Sequence, residues 1–417
     1  MKERTVALVW ALAVAACGGE AEIGNNRCMG DNLRCDADLP EEAQPIVGAL
    51  DVAVSPESLT KVRPASSLAP IGEDTLDSYE LAADSAGTLW EFAVQVSDPS
   101  ATYPRGENRL RFRATALEGN LRQGSVEPPE NAGPDARAQH WRPARKSELG
   151  PMVDVGWFQS TCSGESYCRV GETLAFGPDP DVSPERSPWG KDENREWSSF
   201  AMGRWIDVYG YRVVEQRNSS RKLIWRQSAL DVAGFLTTGN IELLDRGELL
   251  LLAVSGVEER KTDVADELWR FGFDGNVKQR LALSAQLAHP QLTSDTRDHA
   301  LLAGVTSDGS IQVVRQEPRT ITRTWSFLRT QYNELPVLAI SVDLADTVYV
   351  LTATGGREEK DRVPVLCRVR ADDRSDCLLL EKPAEVTKPL QQLQATGPGI
   401  VYVGDTQRLF RYELPNE

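Results

Sequence analysis

The sequence predicts an all-β protein made of repeated antiparallel sheets, and one regular stretch, Glu248–Leu283, is the main reason. An apolar run at Leu249–Val254 is followed by Glu267–Phe273, where Trp and Phe alternate with other residues, and then by a turn at Asp274 and Gly275. Such runs predict strands, and Asp-Gly is a preferred hairpin turn. The same order of signals recurs in two further stretches, Gly87–Val126 and Val337–Leu380.

Repeats of about forty to fifty residues built from short antiparallel strands are typical of β-propeller blades. Counting units from Leu76 onward gives six or seven, and we predict seven four-stranded blades. An early strand near Ile46–Val54 is expected to complete the last blade and close the ring, because closure removes an open sheet edge. An array of small β-sandwich domains is the alternative architecture.

Three other segments carry structural expectations. Glu127–Leu149 is rich in Pro, Ala and charged residues and predicts a connector, and the turn-dense Gly177–Glu196 predicts a long surface loop. Arg109, Arg111 and Arg113 are spaced by two along one strand. That spacing predicts a solvated strand face rather than an anion site.

Composition excludes several functions. The net charge of −16 argues against a nucleic-acid partner, because neutralising phosphates requires clustered Lys and Arg. Only three histidines are present, which argues against a multi-histidine metal centre. The sequence contains no P-loop, no dinucleotide-binding glycine motif and no Gly-x-Ser-x-Gly. We therefore predict no cofactor, no metal and no enzymatic activity.

The amino terminus predicts export. Lys2 and Arg4 flank the start of an apolar segment, Thr5–Val14, that is too short to span a bilayer. Val14–Cys17 resembles a bacterial lipobox, and this resemblance implies cleavage before Cys17 and attachment of diacylglycerol to its sulfur. An ordinary secretory signal is the alternative.

The expected organisation follows from that resemblance. Residues 1–16 would be a lipoprotein signal peptide, 17–44 a flexible tether and 45–417 the propeller. Gly18 and Gly19, with no Asp after Cys17, are similar to enterobacterial signals that direct lipoproteins to the outer membrane. We expect a monomer anchored in the cell envelope through the Cys17 lipid.

The six remaining cysteines fall into three local pairs. In an oxidising compartment, an even number of closely spaced cysteines predicts disulfides, and metal sites show a closer Cys-x-x-Cys spacing. If Arg370 faces Arg374 across a short turn, the last pair also faces across two strands. The pairs are Cys28 with Cys35, Cys162 with Cys168, and Cys367 with Cys377.

Gly399–Gly404, followed by Arg408–Leu414, resembles the quinoprotein-type propeller repeat. Gly87–Trp90 and Thr347–Val350 are weaker copies of the same pattern. The resemblance implies the propeller fold. Gln407 replaces the second glycine of the repeat and the closing Asp is missing, so quinone chemistry is not implied. Asp84–Trp90 superficially resembles the Asp-box turn of sialidases, but the turn occurs once and departs from that pattern, so no relationship to sialidases is inferred from it.

Tryptophan is concentrated between residues 141 and 225, which hold six of the ten. Trp157, Trp205 and Trp225 are predicted to pack between blades. Trp189 and Trp197 lie in or beside the polar loop and are the candidate binding residues, because exposed aromatic rings stack on glycans or anchor protein partners.

The sequence thus predicts a non-enzymatic binding or scaffolding module that binds an envelope protein through its propeller loops. A glycan-binding or sensing module is one alternative. A degenerate quinoprotein-like or glycosidase-like enzyme is another.

Overall fold

The computed structural model describes residues 46–47, 58–69, 71, 76–95, 106–119, 121–133, 136–147, 149–159, 168–177, 183–189, 195–209, 213–227, 235–255, 264–274, 277–317, 322–327, 337–355, 362–384, 386, 388–405 and 408–415. The predicted signal peptide and tether, with Cys17, Cys28 and Cys35, lie outside these ranges. Within them, one 3-10 turn spans Glu130–Ala132, and no helix has the length and apolar character needed to cross a membrane.

The described strands form seven antiparallel blades in chain order. Three short strands come first: β1 (Ile46–Val47), β2 (Thr60–Val62) and β3 (Pro64–Leu68). Blade 1 contains β4 (Leu76–Ala83), β5 (Leu89–Gln95), β6 (Leu110–Thr115) and β7 (Leu121–Val126). Blade 2 contains β8 (Arg137–Arg145), β9 (Met152–Gln159), β10 (Cys168–Ala175) and β11 (Glu185–Pro188). Blade 3 contains β12 (Arg195–Ala201), β13 (Arg204–Tyr209), β14 (Val213–Asn218) and β15 (Leu223–Gln227).

One long strand connects the next two blades. Blade 4 contains β16 (Phe235–Leu243), β17 (Leu249–Ser255), β18 (Val264–Phe271) and the first part of β19 (Val277–Ser294). Blade 5 takes the second part of β19 with β20 (Ala300–Val305), β21 (Ile311–Gln316) and β22 (Thr322–Phe327). Blade 6 contains β23 (Ala339–Val342), β24 (Val348–Gly355), β25 (Arg362–Val369) and β26 (Ser375–Leu380). Blade 7 contains β27 (Gln392–Gly397), β28 (Ile400–Gly404) and β29 (Leu409–Glu413).

The blades are arranged in a ring, with the first strand of each blade innermost. β4 contacts both β8 and β27, and β23 contacts both β19 and β27. β16 likewise contacts β12 and β19. The described strands therefore confirm the predicted seven-bladed β-propeller.

The strand that closes the ring is β3 and not the predicted Ile46–Val54. β3 pairs antiparallel with β29 and becomes the fourth strand of blade 7. β1 instead runs parallel to β22 on blade 5, and β2 runs parallel to β26 on blade 6. β1 and β2 thus cover the outer edges of blades 5 and 6. The chain reaches the edge of blade 7 only at β3, so β3 and not β1 closes the ring.

Two segments predicted to lack strands contain edge strands. Glu127–Leu149 contains β8, the inner strand of blade 2, in which the pairing with β9 is irregular on either side of Arg142. Gly177–Glu196 contains β11, the outer strand of the same blade. Proline is tolerated at sheet edges because one side of an edge strand needs no ladder donor, so proline-rich sequence concealed both strands.

Aromatic rings fill the space between blades 1 and 2. Phe176 lies 5.5 Å from Trp90, 4.9 Å from Phe92 and 5.0 Å from Phe112, measured between ring centroids. These offset and tilted rings add to the energy of apolar burial. Trp157 and Trp205 are also buried, as predicted. The side chain of Trp225 lies outside the described part.

The predicted solvated face of three arginines is wrong for Arg113. Its side chain is buried beside Glu91, with which it forms a two-pronged ion pair, and it donates to the carbonyl of Ala69 at 2.5 Å. Ala69 directly follows β3, so this group lies where blade 1 meets the closing strand. Arg111 pairs with Glu107 nearer the surface.

The predicted Cys367–Cys377 pairing is confirmed. The two residues lie opposite each other on β25 and β26 and form a disulfide. The Arg370 N–H donates to the carbonyl of Arg374 at 2.8 Å, which is the predicted register. The Cys162–Cys168 pairing stays a prediction, because residues 160–167 and the Cys168 side chain lie outside the described part.

Candidate functional site at the central channel

The first two strands of blades 1, 5 and 6 are joined by turns with the same hydrogen bonding. Asp84 Oδ1 accepts from the N–H groups of Ala86 and Thr88, both at 2.9 Å. Asp295 and Asp343 accept from the N–H groups two and four residues later in the same way. The Asp-box-like turn therefore recurs, although the sequence showed it only once.

The fourth residue of each turn has a left-handed backbone. Its φ angle is 78° at Gly87, 63° at Asp298 and 58° at Asp346. Glycine adopts this conformation freely, and Asp is one of the few other residues that tolerate it. The variation between Gly and Asp at this position concealed the repeat from sequence reading.

The second oxygen of each turn aspartate binds a side chain of the following segment. Trp90 Nε1 donates to Asp84 at 3.1 Å, and the Tyr349 hydroxyl donates to Asp343 at 2.8 Å. Burial and the nearby Asp343 charge raise the pKa of Tyr349 well above its usual range. These bonds hold the turns firmly against the second strands.

In blade 5 the side chain that contacts the second oxygen of the turn aspartate is a histidine. His299 Nδ1 lies 2.7 Å from Asp295 Oδ2. Burial alone would raise the pKa of Asp295, but the hydrogen bonds from His299 outweigh it and the pKa lies below its usual value. The Asp295 carboxylate is thus ionised and committed to its own turn.

The turns are also linked from blade to blade. Asp298 Oδ1 in blade 5 accepts from the N–H of Asp245 in blade 4 at 3.1 Å. Asp346 Oδ1 in blade 6 accepts from the N–H and hydroxyl of Thr296 in blade 5. We call the surface formed by these first-to-second-strand turns the turn face. Its blade 4, 5 and 6 segments form one hydrogen-bonded unit.

A cavity of about 360 Å³ lies inside the ring, and residues of the blade 1, 5 and 6 turns form part of its lining. Its walls come from β4, β8, β16, β19, β23 and β27, or from the turns that follow them, so six of the seven blades contribute. Except for β19, these strands are terminal in their sheets, so one edge of each has no neighbour among the described strands. The volume lies within the range typical of ligand pockets, ~300–1,000 Å³.

Glu80 is a partly buried acid of the cavity wall. Burial raises its pKa to about 7, although a hydrogen bond from the backbone of Ala144 acts in the opposite direction. Glu242, from blade 4, accepts from the Ser294 hydroxyl at 2.9 Å. Lys146 lies at the turn end of the cavity and pairs with Asp245 at 3.4 Å.

Two buried polar atoms in the cavity wall have no hydrogen-bond partner among the described residues. They are the hydroxyl of Thr396, a residue only 1% exposed, and the side-chain oxygen of Gln392. The Gln392 amide nitrogen is satisfied by the carbonyl of Tyr79 at 2.6 Å. Most buried polar groups in proteins are paired, so these two atoms are exceptions within the cavity wall.

The predicted binding residues lie elsewhere. Trp189 is 8% exposed, donates to the Thr173 hydroxyl at 3.0 Å and covers Gly171, so its position favours a structural role. The backbone of Trp197 pairs with Val208 in blade 3, while its side chain lies outside the described part. Its binding role stays a prediction.

Sequence reasoning missed Glu80, Gln392 and Thr396. Each lies in a strand with no distinctive motif, and Gln392 and Thr396 are more than 300 residues from Glu80. Only ring closure brings them together.

Fold and cavity together define a β-propeller with a polar central channel. No family model matches the chain, and no curated protein matches it by sequence. Among solved structures, YCF48 bound to D1 peptide is 10% identical, with 86% of this chain and 99% of that chain covered and a TM-score of 0.49. A chain of the mitotic checkpoint complex is 8% identical, with coverages of 85% and 96% and a TM-score of 0.49. The Pan2 WD40 domain of Neurospora crassa is 10% identical, with coverages of 87% and 98% and a TM-score of 0.38. These similarities concern the fold alone.

Proposed function

We propose that the protein is a lipid-anchored binding module of the cell envelope, which receives part of a partner protein at the turn-face mouth of its channel without catalysing a reaction. The observation that carries this proposal is the cavity inside the ring, which six of the seven blades line. Its volume of about 360 Å³ is sufficient for a side chain of a partner protein with adjacent backbone.

Apolar side chains beside the mouth favour a protein as the partner. Leu344 is 40% exposed and Leu117 is 37% exposed. A Cβ atom placed on Gly87 would lie 3.0 Å from a terminal carbon of each, so the two leucines adjoin the same turn. Exposed apolar residues beside a polar recess are typical of protein interfaces, in which a buried centre combines apolar contact with a few hydrogen bonds.

The glycan-binding alternative has less support. It depended on exposed rings at Trp189 and Trp197, and Trp189 is buried and hydrogen-bonded. Saccharide recognition commonly uses aromatic stacking. We therefore retain a protein partner as the proposal.

The anchoring part of the proposal is supported by Val14–Cys17 and by the apolar segment before it. Its test is metabolic labelling with an alkyne-bearing fatty acid. We expect label on the wild-type chain and on Cys35→Ser, and none on Cys17→Ser. Equal labelling of wild type and Cys17→Ser would contradict a lipid at Cys17.

The binding part is tested by chemical crosslinking in native membranes, followed by purification and mass spectrometry. We expect one envelope protein to be recovered in nearly stoichiometric yield, with crosslinked peptides from the turn face. Recovery of this chain alone, at crosslinker concentrations that capture known envelope complexes, would contradict the proposal.

A further inference from the structure

We propose that a recess between the turns of blades 6 and 7 binds a carboxylate of the partner protein, with Arg370 and Arg374 as the binding residues. This inference rests on the proposed function, because it assumes that a partner protein lies on the turn face. It adds the chemical class of the group that is recognised and the residues that recognise it.

The recess has a volume of about 210 Å³ and lies beside the central cavity, since Asp343 lines both. Blade 6 supplies most of its lining, and blade 7 supplies Pro398 and Gly399. Gly399 has a φ of 70° and no side chain to fill the space in front of blade 6.

The strand register of blade 6 places three arginines on one face of the sheet. The Arg370 N–H donates to the carbonyl of Arg374, so these residues face each other across the turn between β25 and β26. Arg368 lies two residues before Arg370 and is paired with Tyr349 of β24. Residues two apart on a strand, or opposite each other on neighbouring strands, have side chains on the same face. This face packs against blade 7, because Tyr349 belongs to the same apolar cluster as Val401 of β28.

Arg368 is buried and has a structural role. Its Nε and one terminal nitrogen donate to Asp376 at 2.6 and 2.8 Å, and the other terminal nitrogen donates to the carbonyl of Pro415 at 2.9 Å. Arg368 therefore holds Asp376 in place and is not assigned to the ligand.

Arg370 and Arg374 keep donors for a ligand. Within the described part, the Arg370 side chain makes one hydrogen bond, to Asp376 at 3.2 Å, and that of Arg374 makes one, to Asp372 at 2.7 Å. A guanidinium carries five N–H donors. The two side chains are 17% and 64% exposed, so a ligand can reach both. Two guanidinium groups on opposite sides of one turn can bind the two oxygens of a carboxylate through charge-assisted hydrogen bonds.

The charges around the recess favour a carboxylate over a phosphate. Asp343 is the one acid among the lining residues, and its oxygens accept from the backbone of its own turn and from the Tyr349 hydroxyl. Together with Asp372 and Asp376 it balances the charge of the three arginines. The attraction for a ligand therefore comes from the remaining N–H donors and not from a large positive charge, which suits a singly charged group better than a doubly charged one.

Apolar side chains beside the recess indicate the surroundings of that carboxylate. Leu344 directly follows Asp343 and is 40% exposed, and Pro398 lines the recess. A Cβ atom placed on Gly397 would lie 3.1 Å from a terminal carbon of Leu117, so this second exposed leucine adjoins the same turn of blade 7. An acidic side chain flanked by apolar residues would match both the donors and the apolar surface.

The test is calorimetric titration of the purified full-length chain with the blocked tripeptide acetyl-leucyl-glutamyl-leucyl amide, whose only charge is its side-chain carboxylate. The glutaminyl tripeptide is the matched neutral probe, and the phosphoseryl tripeptide is the phosphate probe. We expect the glutaminyl probe to bind at least about tenfold more weakly, since hydrogen bonds to charged groups contribute about a factor of ten or more. We expect the phosphoseryl probe to bind no more tightly than the glutamyl probe.

Three variants locate the site. Arg370→Gln and Arg374→Gln each remove one guanidinium, and each should weaken binding of the glutamyl probe about tenfold. Arg63→Gln is the matched control, because Arg63 is also exposed and forms one ion pair at 2.7 Å, with Glu381 at the opposite end of β26. It makes the same change in net charge and should leave binding unchanged. Urea unfolding checks that each variant is folded, so that a loss of affinity reports the site.

Equal affinity for the glutamyl and glutaminyl probes, tighter binding of the phosphoseryl probe, or an unchanged affinity in both Arg370→Gln and Arg374→Gln would overturn this inference. So would the absence of any binding of the glutamyl probe by a wild-type protein whose partner still crosslinks to the turn face. That last result would leave the proposed function standing. Recovery of this chain alone in the crosslinking experiment would instead overturn the proposed function.

Discussion

Asp346 of blade 6 accepts two hydrogen bonds from Thr296 of blade 5, one from the backbone N–H at 2.9 Å and one from the hydroxyl at 2.6 Å. Arg297, the next residue of blade 5, forms an ion pair with the other Asp346 oxygen at 3.1 Å. Asp346 has a positive φ of 58°, a conformation that most residues avoid. One carboxylate thus joins two blades from a backbone position where glycine would otherwise be favoured.

We expect Asp346→Ala to lower the free energy of unfolding by about 2–4 kcal/mol, because it removes the inter-blade bonds and leaves a Cβ-bearing residue in the left-handed region. Asp346→Gly removes the same bonds without that strain and should be about 1 kcal/mol less destabilising than Ala. Urea unfolding measures both. A Gly variant more stable than wild type by about 1 kcal/mol, the strain that glycine relieves, would show that the bonds to Thr296 contribute nothing.

The buried pair of Glu91 and Arg113 should behave as one unit. The Tyr79 hydroxyl donates to Glu91 at 2.5 Å, and burial together with the Glu91 charge raises the pKa of Tyr79. Arg113→Met leaves the buried Glu91 carboxylate without a counter-charge, and we expect a loss of about 3–5 kcal/mol. The double variant Glu91→Leu with Arg113→Met should recover part of that loss, because no charge is left unpaired. A double variant destabilised by the sum of the single changes would contradict this coupling.

Glu80 predicts a pH dependence of stability with a defined sign. Its folded-state pKa of about 7 lies above the ordinary value of 4.5, so between these values the folded protein holds a proton that the unfolded chain has released. The free energy of unfolding should therefore fall as pH rises across this window, by on the order of 3 kcal/mol, and the contribution of Glu80 should change little above it.

Urea unfolding at several pH values, with wild type and Glu80→Gln compared, measures this contribution. The difference between the two proteins should shrink in the acidic part of the window and grow toward pH 7. Glu118→Gln, an exposed control, should follow wild type throughout. A wild-type curve parallel to that of Glu80→Gln would show that the Glu80 pKa is not raised.

The Cys367–Cys377 disulfide joins two cysteines ten residues apart. Closing a loop of this size stabilises a protein by about 2–3 kcal/mol in the chain-entropy model. We expect the double variant Cys367→Ala with Cys377→Ala to lose about this amount in thermal or urea unfolding. Non-reducing peptide mapping should recover the two cysteines in one linked peptide. Recovery of both as alkylated free thiols would contradict the pairing.

The features that the sequence could predict were those determined by residues close together along the chain. The Cys367–Cys377 pair was predictable because two strands and a short turn determine its register. Trp90 and Trp269 were predictable as buried residues because they alternate with other residues in clear strands. β8 and β11 were missed because edge strands tolerate the prolines that otherwise signal loops.

The closing strand and the channel were missed for a different reason. Whether Ile46 or Pro64 reaches β29 depends on the path of the chain around the ring, which no local pattern encodes. Glu80 and Gln392 become neighbours only when blade 7 meets blade 1. Arg113 looked like a surface residue because its partner Glu91 lies on the adjacent strand and its acceptor Ala69 lies on the far side of the closure.

The most direct test of the central claim is site-specific photo-crosslinking in native membranes. A photoreactive residue replaces Leu344 at the channel mouth or, as a control, Leu223 on the outer strand of blade 3, which is similarly exposed. Binding at the channel predicts that one partner protein is captured from position 344, and little or none from position 223. Capture from position 223 with none from position 344 would contradict the claim and place the binding surface on the outer rim of the propeller.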